Sequence, residues 1–75
     1  MSERPQKRSL TLHGHRTSVS LEPDFWRAFQ EIARDQDKPI NKLAAEIDDG
    51  RMGEVGLATA IRSYVLAWYR QKAAG

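Results

Sequence analysis

The feature that most constrains this chain is a six-residue alternating segment, residues 16–21, that runs directly into Glu22-Pro23. Successive side chains of a strand point to opposite faces, so the alternation predicts a short strand followed at once by a helix. The face suited to a core carries β-branched or apolar side chains, from Thr17, Val19 and Leu21. The other face carries a guanidinium and two hydroxyls, from Arg16, Ser18 and Ser20. Groups of this kind suit a polar, anionic ligand.

Three amphipathic helices are predicted after this strand. The first spans about Pro23–Asp35, because proline is well tolerated at a first helical position and apolar residues then recur at helical spacing. The second is expected over residues 39–50, with Gly50 as a left-handed stop, and the third over residues 57–71. The pattern predicts a mainly α fold with a short β-ribbon.

Residues 9–13 are a second strand candidate, because polar and apolar side chains alternate there. Gly14 then interrupts the pattern and tolerates positive φ. Two structures are consistent with this segment: a tight hairpin with the strand of residues 16–21, or an extended arm with a kink. Residues 1–7 are polar and charged, so we expect a flexible basic arm followed by one domain over residues 8–75.

The length of the chain and the distribution of its charges indicate which partners it binds. With 75 residues and no cysteine, the chain is near the size at which a single core is marginal, and disulfides are excluded. Dimerisation is then the expected source of added stability. Residues 1–20 hold four basic side chains and one acidic one, whereas residues 21–55 hold five basic and nine acidic ones. A basic strand region on an acidic helical body indicates that the strand meets a polyanion.

The chain lacks the residues that several classes of function require. No apolar leader or membrane-length run occurs, so we expect a cytoplasmic chain with no membrane partner. His13 and His15 are the only histidines and there is no cysteine, so we expect no metal site. No nucleophile–histidine–carboxylate set, P-loop or dinucleotide fingerprint is present, so we expect no enzyme, no catalytic residue and no cofactor.

A short strand with unpaired backbone groups invites pairing with another chain. Residues 17–21 can pair antiparallel with the same strand of a second copy, and the polar face then appears twice about a two-fold axis. A two-stranded ribbon fits the major groove of B-form DNA. This reasoning predicts an obligate homodimer that holds Arg16, Ser18 and Ser20 against the bases of double-stranded DNA. The dimer core is expected to be apolar, from Val19, Leu21, Trp26, Phe29, Ile32, Leu43 and Ile47.

Three segments of the chain carry a resemblance: residues 16–26, which read Arg-Thr-Ser-Val-Ser-Leu-Glu-Pro-Asp-Phe-Trp, residues 29–33, and Pro39-Ile40-Asn41-Lys42-Leu43. They resemble the ribbon-helix-helix (Arc/MetJ-type) family of DNA-binding proteins. Within it, the chain is similar to short members with an extra C-terminal helix, and the resemblance covers about residues 8–70. It implies an intertwined homodimer with intermolecular antiparallel strands. It also implies a sequence-specific transcriptional regulator, most simply a repressor.

The resemblance also implies positions for DNA contacts. Arg16, Ser18 and Ser20 match the residues that such proteins point at bases. Ile40 and Asn41 match the helix start where the family anchors a phosphate on backbone N–H groups. Further phosphate contacts are expected from nearby cations, namely Lys38, Lys42 and Arg8. If residues 9–13 supply the groove-facing strand instead, the readers become Ser9, Thr11 and His13.

The third helix leaves an alternative function open. It is rich in apolar residues, and a minimal ribbon-helix-helix dimer does not require it. The chain is then expected to be an antitoxin or a protein-interaction adaptor that binds a partner protein through this helix.

Overall fold

The computed structural model describes residues 4–75 as a β-hairpin followed by three helices. The elements are β1 (Gln6–Leu12), β2 (His15–Leu21), α1 (Pro23–Asp35), α2 (Ile40–Gly50) and α3 (Leu57–Ala74). Across this part of the chain, no helix has both the length and the hydropathy needed to cross a membrane. The predicted fold class, mainly helical with a short antiparallel ribbon, is confirmed.

β1 and β2 pair antiparallel within one chain, so the hairpin is the alternative that the structure adopts. Its two-residue turn is His13-Gly14, with φ of 53° and 80°. Positive φ at both central residues is what a type I′ turn requires, and this turn matches the twist of the flanking strands. Pairing of two β2 strands between copies stays a prediction.

β1 begins at Gln6, earlier than the strand expected over residues 9–13. The last two residues of the expected arm therefore belong to the hairpin, because Gln6 pairs with Leu21 and Lys7 pairs with Ser20. The rest of that expectation falls partly on residues 1–3, which lie outside the described residues.

The side chains of β2 alternate between a buried face and an exposed face, as predicted. Val19 and Leu21 are buried and Thr17 is half-buried, whereas the residues between them are exposed. β1 follows the same rule, with Leu10 and Leu12 buried. The hairpin therefore turns the apolar part of one face toward the helices.

A single hydrophobic core fills the space between the hairpin and the three helices. Its largest fully buried side chains are Leu10, Leu21, Phe29, Ile32, Leu43 and Ile61. Of the seven residues expected in a dimer core, those buried within the one chain are Val19, Leu21, Phe29, Ile32 and Leu43. Trp26 and Ile47 are half-buried against them. One chain thus buries most of this set without a partner, and a contribution from a second copy stays a prediction.

The helix ends follow the sequence pattern with two differences. α3 continues to Ala74, beyond the expected end at residue 71, because alanine is a strong helix former. The expectation that Gly50 is a left-handed stop is wrong, since Gly50 is the last residue of α2 and Gly53 has the positive φ, at 54°. Arg51 explains the difference: its Nε lies 2.6 Å from Asp48 Oδ1, and its extended backbone leads out of the helix.

α3 is an integral part of the core. Ile61 and Val65 are buried against the other elements, and Gln36 Nε2 donates to Tyr64 Oη at 2.5 Å. Tyr69 Oη donates to Glu31 Oε1 at 3.2 Å, which joins α3 to α1. The side of α3 that carries Ile61 and Val65 is therefore packed within its own domain.

Candidate nucleic-acid interface

The outward face of the hairpin is entirely polar. We call it the polar hairpin face; its exposed members are Lys7, Ser9, Thr11, Arg16, Ser18 and Ser20. It offers two cations and four hydroxyls. Residues 4–21 contain no aspartate or glutamate, so no carboxylate of the hairpin offsets these charges. Such a surface suits a ligand rich in negatively charged and hydrogen-bond-accepting groups.

The two strands contribute matched groups to this face. Lys7 lies opposite Ser20, Ser9 opposite Ser18, and Thr11 opposite Arg16. Directly opposite residues of an antiparallel pair are close neighbours. The two sets of candidate readers, Arg16 with Ser18 and Ser20, and Ser9 with Thr11, therefore lie together on one surface rather than excluding each other.

His13 is separated from the other candidates because it occupies the turn. Its Nε2 lies 2.8 Å from Asp49 Oδ1 near the end of α2, and both side chains are largely exposed. His15 begins β2. Within residues 4–75, no group of three or more histidine, cysteine or acidic residues is placed to hold a metal ion.

The start of α2 lies beside the outer edge of β1. The Thr11 N–H donates to Asn41 Oδ1 at 3.0 Å. The N–H groups of Lys42 and Leu43 donate to the Pro39 carbonyl, at 3.0 and 3.1 Å. The two preceding N–H groups, of Ile40 and Asn41, belong to the first turn and have no carbonyl four residues back within the helix. The structure thus brings a helix N-terminus, with its positive dipole end, next to the polar hairpin face.

The three cations expected at phosphates differ in their surroundings. Lys42 is exposed on the first turn of α2. Lys38 Nζ lies 2.7 Å from Glu46 Oε1, so its charge is shared with a carboxylate.

Arg8 is not brought to this surface. It faces the same side of β1 as Leu10 and Leu12, and its guanidinium lies 5.4 Å from the centre of the Trp26 ring. Its Nε is buried and has no acceptor among residues 4–75. The reason is the period of the strand, which sends even-numbered residues of β1 inward.

Arg62 is a residue that sequence reasoning missed. Its Nε donates to Glu22 Oε1 at 2.9 Å and its Nη2 donates to the Ser20 carbonyl at 3.1 Å. The guanidinium also lies 6.0 Å from the centre of the Phe25 ring. The hydrogen bond from Arg62 holds the pKa of Glu22 below its ordinary value of 4.5. α3 therefore fixes the junction between β2 and α1.

Lys7 is a second residue that sequence reasoning missed, because the sequence predicts a flexible arm over residues 1–7. A signal for it exists, because residues 7, 9 and 11 alternate with the inward-facing residues of β1. For Arg62 no local signal exists, because Glu22 is 40 residues away in sequence.

A second surface contrasts with the hairpin. We call it the apolar groove: a depression of about 480 Å³ between α2, the following loop and α3. Its apolar lining comes from Leu43, Ile47, Met52, Val55, Ala60 and Tyr64. Met52 is 79% exposed, so this lining is open to solvent.

Comparison with known proteins gives one match. The family model described as a ribbon-helix-helix domain matches residues 5–69. This range includes the whole hairpin, α1, α2 and most of α3, so the matched region contains every element of the polar hairpin face. No curated protein and no solved structure matches the chain.

Proposed function

This chain belongs to the ribbon-helix-helix family, and on that premise we propose that it regulates transcription by binding specific double-stranded DNA sequences, acting as a repressor. The family is a general class of DNA-binding regulators that includes antitoxins. Its members typically bind DNA as dimers, and we propose a homodimer here as well. The proposal places the protein in the cytoplasm and assigns it no catalytic role and no cofactor.

The observation that carries the proposal is the polar hairpin face. Its six outward side chains bear cations and hydroxyls only, and the buried face behind it packs on the helices. A two-stranded ribbon fits the major groove, where base edges present acceptors such as guanine O6 and N7. The hairpin can therefore approach bases without rearranging the core.

The proposal gives the polar side chains different roles. Arg16 offers a guanidinium that can bond guanine at two points, whereas Ser18 and Ser20 can bond any base and discriminate less. Phosphates on the groove wall would meet the N–H groups of Ile40 and Asn41 at the start of α2. Lys42 and Lys38 add positive charge there, whereas the guanidinium of Arg8 lies over the Trp26 ring.

The test is DNA binding measured by fluorescence anisotropy, with a duplex selected by the wild-type chain from a random pool and an unselected duplex as reference. We expect affinity to fall steeply with salt, because each phosphate contact releases counterions. Arg16→Ala should weaken binding to the selected duplex by about 1–3 kcal/mol while changing the unselected duplex much less.

Arg70→Ala is the matched control. Arg70 is exposed on α3, two turns beyond Arg62, so this variant removes the same charge away from the hairpin. It should leave the preference for the selected duplex unchanged. A wild-type chain that binds both duplexes equally would contradict the proposed function.

A second candidate function is that of an antitoxin or adaptor. The observation that favours it is the apolar groove, with Met52 and Val55 exposed. Because Ile61 and Val65 are buried in the domain, a partner would have to use this groove rather than the inner side of α3. Co-expression with the product of an adjacent reading frame, followed by co-purification of wild type and Met52→Asp, tests this role. Capture that is insensitive to Met52→Asp would count against it.

A further inference from the structure

We propose that Arg62 is a positioning residue for DNA recognition: from α3 it holds the C-terminal end of β2 and so sets where the outward side chains of that strand point. This role rests on the proposed function and deepens it, because it adds a residue of the third helix to those that determine specificity. Arg62 acts through Ser20 and Glu22, and does not itself touch a base.

Arg62 joins three parts of the junction between strand and helix. Its Nε donates to Glu22 Oε1 at 2.9 Å, and its Nη2 donates to the Ser20 carbonyl at 3.1 Å. Its guanidinium lies 6.0 Å from the centre of the Phe25 ring, on the first turn of α1. One side chain of α3 therefore contacts the end of β2, the residue that precedes α1, and α1 itself.

Three successive residues at this junction are held by different contacts. Ser20 is held through its backbone carbonyl, Leu21 by full burial of its side chain, and Glu22 through its carboxylate. The bond at Ser20 restrains the strand backbone without using the Ser20 hydroxyl, which belongs to the exposed face. Alternate residues of a strand share a face, so a direction fixed at Ser20 is passed on to Ser18 and Arg16.

Glu22 is directed to Arg62 rather than to its own helix. It is the N-cap residue of α1, where a side chain often accepts from a first-turn N–H, yet it makes no such bond. The Arg62 and Glu22 side chains are 31% and 30% exposed. The Arg27–Asp24 pair of α1 is far more open, at 65% and 88%, so water and salt screen it more strongly. The more sheltered pair is thus the one that joins α3 to the strand.

Two acceptors on different residues require an arginine at this position. A guanidinium is planar and directs its donors in a rigid fork, whereas a lysine ammonium is a compact charge on a flexible stem. Arg62→Lys therefore keeps the positive charge but loses the simultaneous bonds to Glu22 and Ser20. Arg27→Lys is the matched control, because Arg27 also bonds a carboxylate, that of Asp24 three residues earlier on the same helix, at 2.6 Å.

The test compares the affinities of both variants for the selected and the unselected duplex. We expect Arg62→Lys to lower the ratio of the two affinities by roughly two- to tenfold, the size of one hydrogen bond, and Arg27→Lys to leave it unchanged. The ratio separates positioning from stability, because a fraction of unfolded chains weakens both affinities by the same factor. A wild-type ratio in Arg62→Lys would overturn the inference and leave the proposed function standing.

Arg62→Gln shows whether the charge itself meets DNA phosphates. If Arg62 positions β2, this variant should lower the ratio at least as much as Arg62→Lys does. An equal loss of affinity for both duplexes, with a wild-type ratio, would instead make Arg62 a phosphate contact and would contradict the positioning role.

A second measurement is made on the protein alone, so it tests the position of β2 even if the chain prefers no DNA sequence. In amide nitrogen–proton NMR spectra of Arg62→Lys, we expect the signal of Leu21 to shift, because its N–H shares a peptide unit with the Ser20 carbonyl. The signals of Ser18 and Arg16 should shift with it, and Arg27→Lys should leave all three in place. A shift confined to Leu21 would show that the strand keeps its direction without Arg62, and the inference would then be wrong.

Discussion

The polar hairpin face and the apolar groove are both exposed, but for different physical reasons. On the hairpin, strand alternation sends hydroxyls and cations to solvent while Leu21, at 0% exposure, anchors the opposite face. In the groove, apolar side chains such as Met52 remain exposed because no element within residues 4–75 covers them. The first surface is complete in the isolated chain, whereas the second exposes apolar area that a partner would bury.

The two surfaces also differ in how they are held. The hairpin is tied to α2 through Asn41 and to α3 through Arg62. The loop at the groove is held mainly by Arg51, which contacts Asp48 and the Val55 carbonyl nearby in sequence. We infer that the hairpin presents a fixed arrangement of side chains, as base recognition requires. Three substitutions test this contrast.

The largest effect is expected from Leu21→Asp. Leu21 is fully buried behind the polar hairpin face, and an unpaired carboxylate there carries a desolvation cost comparable to the free energy of unfolding of a small domain. We expect the variant to be unfolded, with no cooperative transition by circular dichroism.

Its neighbour supplies the control. Ser20→Asp adds the same carboxylate to the outward face, where Ser20 is exposed. This variant should fold and should lose DNA binding through charge repulsion. A folded Leu21→Asp chain would contradict the division of the hairpin into two faces.

A smaller effect is expected from Ile61→Ala. Ile61 is fully buried on α3, so truncation leaves a cavity and should lower the free energy of unfolding by about 2–5 kcal/mol in urea titrations. Met52→Ala removes a side chain of similar size from the groove, where it is 79% exposed, and should change stability by less than about 0.5 kcal/mol. Equal losses in the two variants would show that α3 or the groove is packed differently.

The smallest effect is expected from Glu22→Gln at the junction that Arg62 holds. Because the hydrogen bond from Arg62 lowers the pKa of Glu22 in the folded chain, this carboxylate contributes stability above its unfolded value, near 4.5. The contribution is lost as the pH falls through the folded pKa. Glu22→Gln should therefore be less stable than wild type at neutral pH, and the difference should vanish in acid.

Arg62→Gln is the reciprocal variant. If Glu22 acts only through Arg62, the double variant should be no less stable than Arg62→Gln alone by thermal unfolding at neutral pH, because Arg62→Gln already removes the bond to Glu22 together with the bond to the Ser20 carbonyl. Additive losses would mean that the bond at 2.9 Å is not what lowers the pKa of Glu22.

The sequence predicted those parts of the fold that depend on local periodicity. Alternation identified β2 and its two faces, and helical spacing located α1, α2 and α3 to within a few residues. The match to the ribbon-helix-helix family agrees with the resemblance carried by the strand–helix junction. These features are local, because strand and helix periods are properties of short segments.

Contacts between distant segments were not predictable in the same way. Thr11 meets Asn41 across 30 residues, and only the packing of α2 against β1 decides that the Asn41 side chain bonds the sheet edge. Arg8 carries the charge expected at a phosphate, yet its position in the register of β1 turns it toward Trp26. Residue type alone suggested the phosphate contact of Arg8, which stays a prediction, whereas the strand register decides where its side chain lies.

The two-sided hairpin has a consequence for how such a protein diversifies. Its six outward side chains lie on the side of the sheet away from the core, so exchanging them should leave the unfolding free energy nearly unchanged. If the hairpin reads DNA as proposed, mutations there can change the preferred DNA sequence without a compensating change elsewhere in the chain. We expect related ribbon-helix-helix proteins to vary most freely at these six positions when they bind different DNA sequences.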